Sequence, residues 1–332
     1  MKNTLISIAI LLFGLSRMAF AQQPKPLISA PGEARLTVNI RHEDGSPVEN
    51  ATVGVSFNQT QNYWQEGHQF DTKNAQTGKT GIVVAEGETT TGWINYGVTK
   101  DGYYPSNGER LILQRKGTRY EPWNPTYTLI AKKIVKPIPM YARKVEMVRV
   151  PVVGQPVGFD LVVSDWVAPH GKGSVSDLII TLQKAFVDVE QPFEASLSIA
   201  FANESDGIQP TIAAPHVGSE LRLPRYAPEQ GYEKKVIKST SRAAANQMIV
   251  PANKEDLNYF FRVRTVKKDD KIVSSNYGKI DRDIDFDIIN SDTALLFFTY
   301  YLNPTPNDRN MEFDPKRNLL KGLKDSETVT NP

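Results

Sequence analysis

Between residues 281 and 287 the chain reads Asp281-Arg282-Asp283-Ile284-Asp285-Phe286-Asp287. In an extended strand side chains alternate between faces, so the four aspartates share one face and Ile284 and Phe286 the other. Four carboxylates on one face repel unless something offsets them. A hard cation such as calcium does so with roughly six to eight oxygen ligands, and Asn290, Ser291 and Asp292 add oxygens nearby. Arg262 and Arg264, also two residues apart, are the rival offset as cross-strand partners; plain solvation is the third reading. Phe286 stands where an EF-hand loop needs glycine, which excludes that motif.

A second concentration of chemistry runs from Trp166 to Asp177. His170, Lys172 and Ser174 supply an imidazole, an ammonium and a hydroxyl, while Gly171 and Gly173 are suited to turning backbone N–H groups toward an anion. His170 and Ser174 also have the types of a base and a nucleophile. The competing reading is a solvent-exposed connection that needs its glycines only to bend. The third candidate is aromatic: Tyr63-Trp64, Tyr103-Tyr104 and Tyr120 with Trp123 fall in or beside expected loops. Exposed rings with polar neighbours suit the faces of sugars or a protein partner. Trp93 and Trp166, inside strand patterns, read as packing residues instead.

No Gly-x-Ser-x-Gly elbow, P-loop, His-Glu-x-x-His helix or dinucleotide fingerprint is present. The absence of cysteine excludes thiol catalysis, Cys-ligated zinc and disulfides. No cofactor is implied beyond the calcium reading. Residues 1–21 have a basic start at Lys2, an apolar run from Thr4 to Leu15 and a small-x-small site at Ala19-Phe20-Ala21, the pattern of a secretory signal peptide. The expected location is therefore the periplasm or outside the cell. Removing that segment takes away Lys2 and Arg17 and no acid, so 39 basic side chains become 37 against 37 acidic ones. A neutral chain argues against nucleic acid as a partner, and no later stretch has the length of a membrane span.

These groups must be positioned by strands. After a Pro- and Gln-rich linker at 22–32, alternating runs occur at Leu36 to Ile40, Ala51 to Phe57, Gly81 to Val84 and Gly92 to Val98. Asn58 to Lys79 reads as a polar insertion. Further strands are expected around Thr128 to Ile130, Val145 to Val150, Phe159 to Val163, Asp177 to Leu182, Ala195 to Phe201, Tyr259 to Arg264 and Ala294 to Tyr300. Helix is expected only at Ser241 to Gln247 and near Pro315 to Lys321, and residues 316–332 read as a polar tail.

The order of motifs in the first third is similar to the carboxypeptidase regulatory-like, or transthyretin-like, family. It rests on Asp44-Gly45-Ser46-Pro47-Val48, Ala51-Thr52-Val53, Thr77-Gly78-Lys79-Thr80-Gly81 and Val98-Thr99-Lys100-Asp101-Gly102-Tyr103-Tyr104. The resemblance implies a small seven-stranded β-sandwich over residues 33–130, used as an accessory, adhesive or spacer unit. The insertion at Asn58 to Asn74 and Ile82-Val83 depart from the family's pattern. Such modules often accompany a zinc peptidase, but no His-x-x-Glu pair exists here, so that activity does not carry over. Through Asn258 to Thr265 and Tyr300-Tyr301-Leu302-Asn303-Pro304 the second half resembles exported proteins of environmental bacteria, which transfers no function.

The expectation is thus an all-β chain of two sandwich-like domains, 33–130 and 131–315. Its leading function is a non-enzymatic binding or structural module of the cell envelope, engaging a glycan or an envelope protein through loops of the first domain. The alternatives are a hydrolase of a polymer, its acids drawn from Asp160, Asp165, Asp177 or the 281–287 row, and a calcium-stabilised spacer.

Overall fold

Period-two alternation becomes two pairs of sheets, each pair closed on its own core. The computed structural model describes residues 30–60, 67–185, 191–214, 217–290 and 293–332. The expected signal peptide and most of the linker lie outside these, as do Tyr63 and Trp64. Ten strands precede residue 131: β1 (Gly32–Arg41), β2 (Thr52–Asn58), β3 (Phe70–Gln76), β4 (Ile82–Thr89), β5 (Trp93–Thr99), β6 (Ser106–Asn107), β7 (Leu111–Ile112), β8 (Gln114–Lys116), β9 (Arg119–Glu121) and β10 (Thr126–Ile130). Eleven follow: β11 (Tyr141–Arg149), β12 (Pro156–Asp160), β13 (Asp165–Trp166), β14 (Leu178–Ala185), β15 (Phe193–Ala200), β16 (Gly207–Ile212), β17 (Gly218–Ser219), β18 (Lys235–Arg242), β19 (Leu257–Lys268), β20 (Lys271–Asn290) and β21 (Thr293–Leu302). Two single-turn 3-10 helices, Pro315–Arg317 and Asp325–Glu327, are the only helical elements among the described residues.

In the first sandwich one sheet runs β10-β1-β9-β8 with β4 on β1, and the other runs β17-β6-β5-β2-β3 with β7 on β5. Leu36, Val38 and Ile40 of β1 meet Val53, Val55 and Phe57 of β2, Val83 and Ala85 of β4, and Ile94 and Val98 of β5. Each fully buried Val, Ile or Phe contributes about 1.5–3 kcal/mol, so the alternation that the sequence displays is also what holds the layers together. The second sandwich pairs β11-β21-β20-β19-β16 with β13-β12-β14-β15-β18 around Phe159, Trp166, Leu197, Tyr259, Phe286 and Tyr300, among others.

Several expectations are corrected. The insertion at 58–79 contains a strand, β3, which pairs along its length with β2. Its polar sequence misled because it is an exposed edge strand with no apolar face to bury. The helix expected from Ser241 to Gln247 is absent: β18 runs through Arg242, and Ser241 bridges to Val250. Segment 316–332 is no free tail, since Val329 is buried with Met140, Tyr301 and Phe313, and Glu327 pairs with Arg143 at 2.8 Å.

The two sandwiches are joined through polar contacts. β17, from the second half of the chain, hydrogen-bonds to β6 of the first. Fully buried Glu312 accepts from Tyr104 Oη at 2.9 Å and from the backbone N–H groups of Val135 and Lys136 at 2.8 and 2.9 Å. Arg225 Nη1 lies 2.5 Å from the same carboxylate as an ion pair. Burial pushes the Glu312 carboxyl up, but these donors outweigh it and hold its pKa below the ordinary value. Tyr104, with its hydroxyl committed here and its ring buried, is therefore no exposed binding ring. That corrects its reading as a ligand contact, and the same holds for Tyr120, buried with its hydroxyl donating to the Thr90 carbonyl at 3.0 Å.

Candidate functional site

The aspartate row lies at a groove of about 530 Å³ that also takes in Glu146, Asn253, Lys254, Glu255 and Phe297. The four carboxylates do not share one face. Pairing of β20 with β21 shifts register between Asp281 and Asp285, and Arg282 has a φ of 69°, so a bulge breaks the alternation. Asp281 stays on the face of Asp285 and Asp287, opposite Thr299 as they are opposite Phe297 and Leu295, and forms an ion pair and hydrogen bonds with Arg222. Asp283 points inward, where it pairs with buried Lys238 and accepts from Tyr259 Oη at 2.8 Å and Lys254 N at 2.8 Å. Asp285 accepts from Asn253 Nδ2 at 2.6 Å; burial raises its pKa, with Asp287 and Asp283 adding repulsion. Asp287 is exposed. Among the described residues no three acidic or histidine side chains converge as metal ligands. The rival offset by Arg262 and Arg264 is corrected: Arg222 and Lys238 take that part, and Arg262 reaches the Ser205 carbonyl instead.

Arg264 serves two other carboxylates. Its Nε lies 2.7 Å from Asp177 and its Nη2 3.1 Å from Asp160, both buried. Asp160 additionally accepts from the N–H groups of Val162, Val163, Ser174 and Val175 at 3.0–3.2 Å. Burial alone would raise its pKa; those four donors hold it below the ordinary value. This settles the geometry of the 166–177 loop. His170, Lys172 and Ser174 are exposed, but the loop's N–H groups face the protein's own acids, Lys172 N reaching Asp165 Oδ2 at 3.0 Å and Ser174 N reaching Asp160. An anion nest whose donors already hold carboxylates has none left for a ligand among these.

The first sandwich offers more open surface. Trp123, half-buried, lies at a groove of about 850 Å³ with Glu33, Arg35, Asp71, Lys73, Glu86 and Arg119. The Arg119 guanidinium sits 4.5 Å from its ring centre. Tyr103 is half-buried between His42, 5.6 Å away, and the ammonium groups of Lys100 and Lys133. Trp166 is buried as expected. Trp93 is not: it stands half-exposed on the outer face of β5, with Arg110 5.2 Å from its ring and His68 5.7 Å away. The signal for this was in the alternation, since Trp93 is in phase with Asn95 and Gly97, whereas Ile94, Tyr96 and Val98 face the core.

No protein-family model matches the chain, and no curated protein sequence matches it. Among solved structures, 3-chlorocatechol 1,2-dioxygenase from Rhodococcus opacus shares 7% identity over 33% of this chain and 64% of its own, with a TM-score of 0.25. The shaft pilin SpaA of Lactobacillus rhamnosus GG shares 11% over 75% of this chain and 93% of its own, with a TM-score of 0.22. A putative membrane-associated protein of unknown function from Bacteroides fragilis shares 9% over 84% and 99%, at 0.17. Likenesses this distant leave the functional reading to the residues themselves, and what they establish is an all-β chain of packed sheets.

Proposed function

We propose that the protein is an exported, non-enzymatic binding module of the cell envelope that engages a glycan or an envelope protein through its first sandwich. One observation carries this reading: of the acids a hydrolase would draw on, Asp160, Asp177, Asp281 and Asp283 are bound to internal cations. Asp160 and Asp177 share Arg264, and Asp283 holds Lys238. Glycoside hydrolysis needs a raised-pKa acid beside a second free carboxylate. Asp160 is shifted the other way, and Asp285, raised by burial beside exposed Asp287, is the pair on which the hydrolase alternative rests. The polar junction at Glu312 suits a module that presents one sandwich on another. The signal-peptide pattern of residues 1–21 supports export, and the resemblance to regulatory-like domains supports an accessory role.

The test is affinity electrophoresis of residues 22–332 through gels containing soluble polysaccharides, with reducing ends assayed in parallel. Retardation without release of reducing ends is the expected result. Release of reducing ends that disappears in Asp285→Asn would replace binding by hydrolysis.

A further inference from the structure

The outer face of the sheet β5-β2-β3 has an unusual composition for a chain in which 23% of residues are charged. Its outward positions are Thr52, Gly54 and Ser56 of β2, Trp93, Asn95, Gly97 and Thr99 of β5, and Phe70, Thr72, Asn74 and Gln76 of β3. None carries a charge. The ionisable residues of β3, Asp71 and Lys73, alternate to the opposite side and line the Trp123 groove.

Within this face Gly54 and Gly97 lie directly opposite each other in register. Neither has a positive φ, so backbone conformation does not call for glycine at either. Glycine inside a strand weakens it, and commonly marks a place where something approaches the backbone closely. A Cβ at Gly54 would come 3.1 Å from Asn74 Oδ1, and one at Gly97 would come 2.5 Å from Asn107 Oδ1. The carboxamides of Asn74 and Asn107 thus lie against the two glycines and edge a trough of about 380 Å³ lined also by Thr52, Ser56, Asn95 and Thr99. At one end of this sheet face stand Trp93, His68 and Phe70, the last 39% exposed, with Arg110 over the indole.

We infer that this trough is a binding site for a neutral polysaccharide, an inference that rests on the binding role proposed above and gives it a location and a ligand class. Asn, Ser and Thr side chains both donate and accept hydrogen bonds, as sugar hydroxyls do. Trp93 supplies an aromatic surface for the apolar face of a pyranose. The lack of charge matches an uncharged polymer and offers an acidic one nothing beyond Arg110. Trp93, Phe70 and Ile112, the last opposite Trp93 in register and exposed, are gathered at one end of the face, whereas the trough itself is lined by Thr, Ser and Asn side chains. A protein partner would call for an apolar centre.

The experiment runs wild type, Gly54→Val, Trp93→Ala and Trp123→Ala through gels containing a neutral β-glucan, a galactomannan and, as an acidic control, polygalacturonate. Valine at 54 fills the trough while favouring strand, and thermal melting confirms that each variant folds. The expected result is retardation of wild type by a neutral polymer, weakened at least tenfold by Gly54→Val and by Trp93→Ala but kept by Trp123→Ala. Retention of full binding by folded Gly54→Val, or retardation by polygalacturonate alone, would overturn the trough as the site and leave the broader binding role standing. Wild type retarded by no glycan, neutral or acidic, would overturn this inference; a protein ligand captured by the same face would then preserve only the broader role.

Discussion

The two sandwiches treat charge in opposite ways. Among the described residues of the first, the buried polar side chains are Thr37, Asn58, Thr77, Thr89, Thr90, Ser106 and, on β17, Ser219, all uncharged. Its ion pairs, such as Arg35–Glu86 and Lys73–Asp71, are on the surface. The second half buries Asp160, Asp177, Asp206, Lys238, Lys279, Asp283 and Glu312. The difference follows from the regularity of the strands. Where β19 bulges between Val263 and Val266, the N–H groups of Arg264 and Thr265 find Asp206 at 3.0 Å. Where the chain turns around Leu161 to Val163 and again at Ser174, the donors find Asp160 and Asp177. Buried carboxylates stand in for ladder bonds that irregular strands cannot make. In the first sandwich the pairings of β1 with β4 and of β2 with β3 and β5 run without a register shift; it needs few such substitutes and keeps a sheet face free of charge.

The largest effect that tests this contrast is Arg264→Leu. It strips the cation from two buried carboxylates at once, and breaking a buried pair costs about 3–5 kcal/mol. Because Arg264 keeps 30% of its side chain exposed, the lower end applies: a loss of about 3 kcal/mol, read as a shift of the urea midpoint at pH 7. A loss below about 1 kcal/mol would mean that backbone donors alone satisfy Asp160 and Asp177.

Acid should act on the same half. Asp160 and Glu312 have folded pKa values below their ordinary ones. Their contribution is therefore complete above about pH 4–4.5, the unfolded range, and is lost as pH falls through the lower folded values. Asp206 and Asp285 are raised by burial and work with the opposite sign: they favour folding below the unfolded range and lose that contribution as pH rises through their folded values. The multiply bonded Asp160 and Glu312 are expected to dominate, so the urea midpoint should fall as pH drops below about 4. Glu312→Gln should lower stability at pH 7 and flatten that acid slope. An unchanged slope would remove Glu312 from the account.

The strands with apolar alternation were legible in the sequence because one buried face imposes a period of two, as in β1, β2 and β5. β3 was not, because an edge strand with both sides exposed leaves no period in hydrophobicity. The aspartate row was correctly placed on a strand, yet a bulge at Arg282 is a positive φ on a non-glycine residue, and nothing in its type announces that. Cross-strand glycines 54 and 97 are 43 positions apart and become one feature only through register. Tyr104 looked like a loop ring because its partner, Glu312, lies 208 residues away.

The smallest predicted effect bounds the comparison from the other side. Lys73 and Asp71 pair at 2.8 Å with side chains 50% and 42% exposed. An exposed pair gains little in high dielectric and pays side-chain entropy to hold its geometry, so its net worth is about 0–1 kcal/mol. Lys73→Gln should therefore shift the urea midpoint by no more than that, and less at high salt, where surface charges are screened. The β2–β3 ladder is held by backbone bonds from Thr52 to Asn58, and glutamine leaves those intact. A cost near 2 kcal/mol would show that the edge of the first sandwich depends on charge as its partner's interior does. The contrast between the halves would then lie in exposure alone.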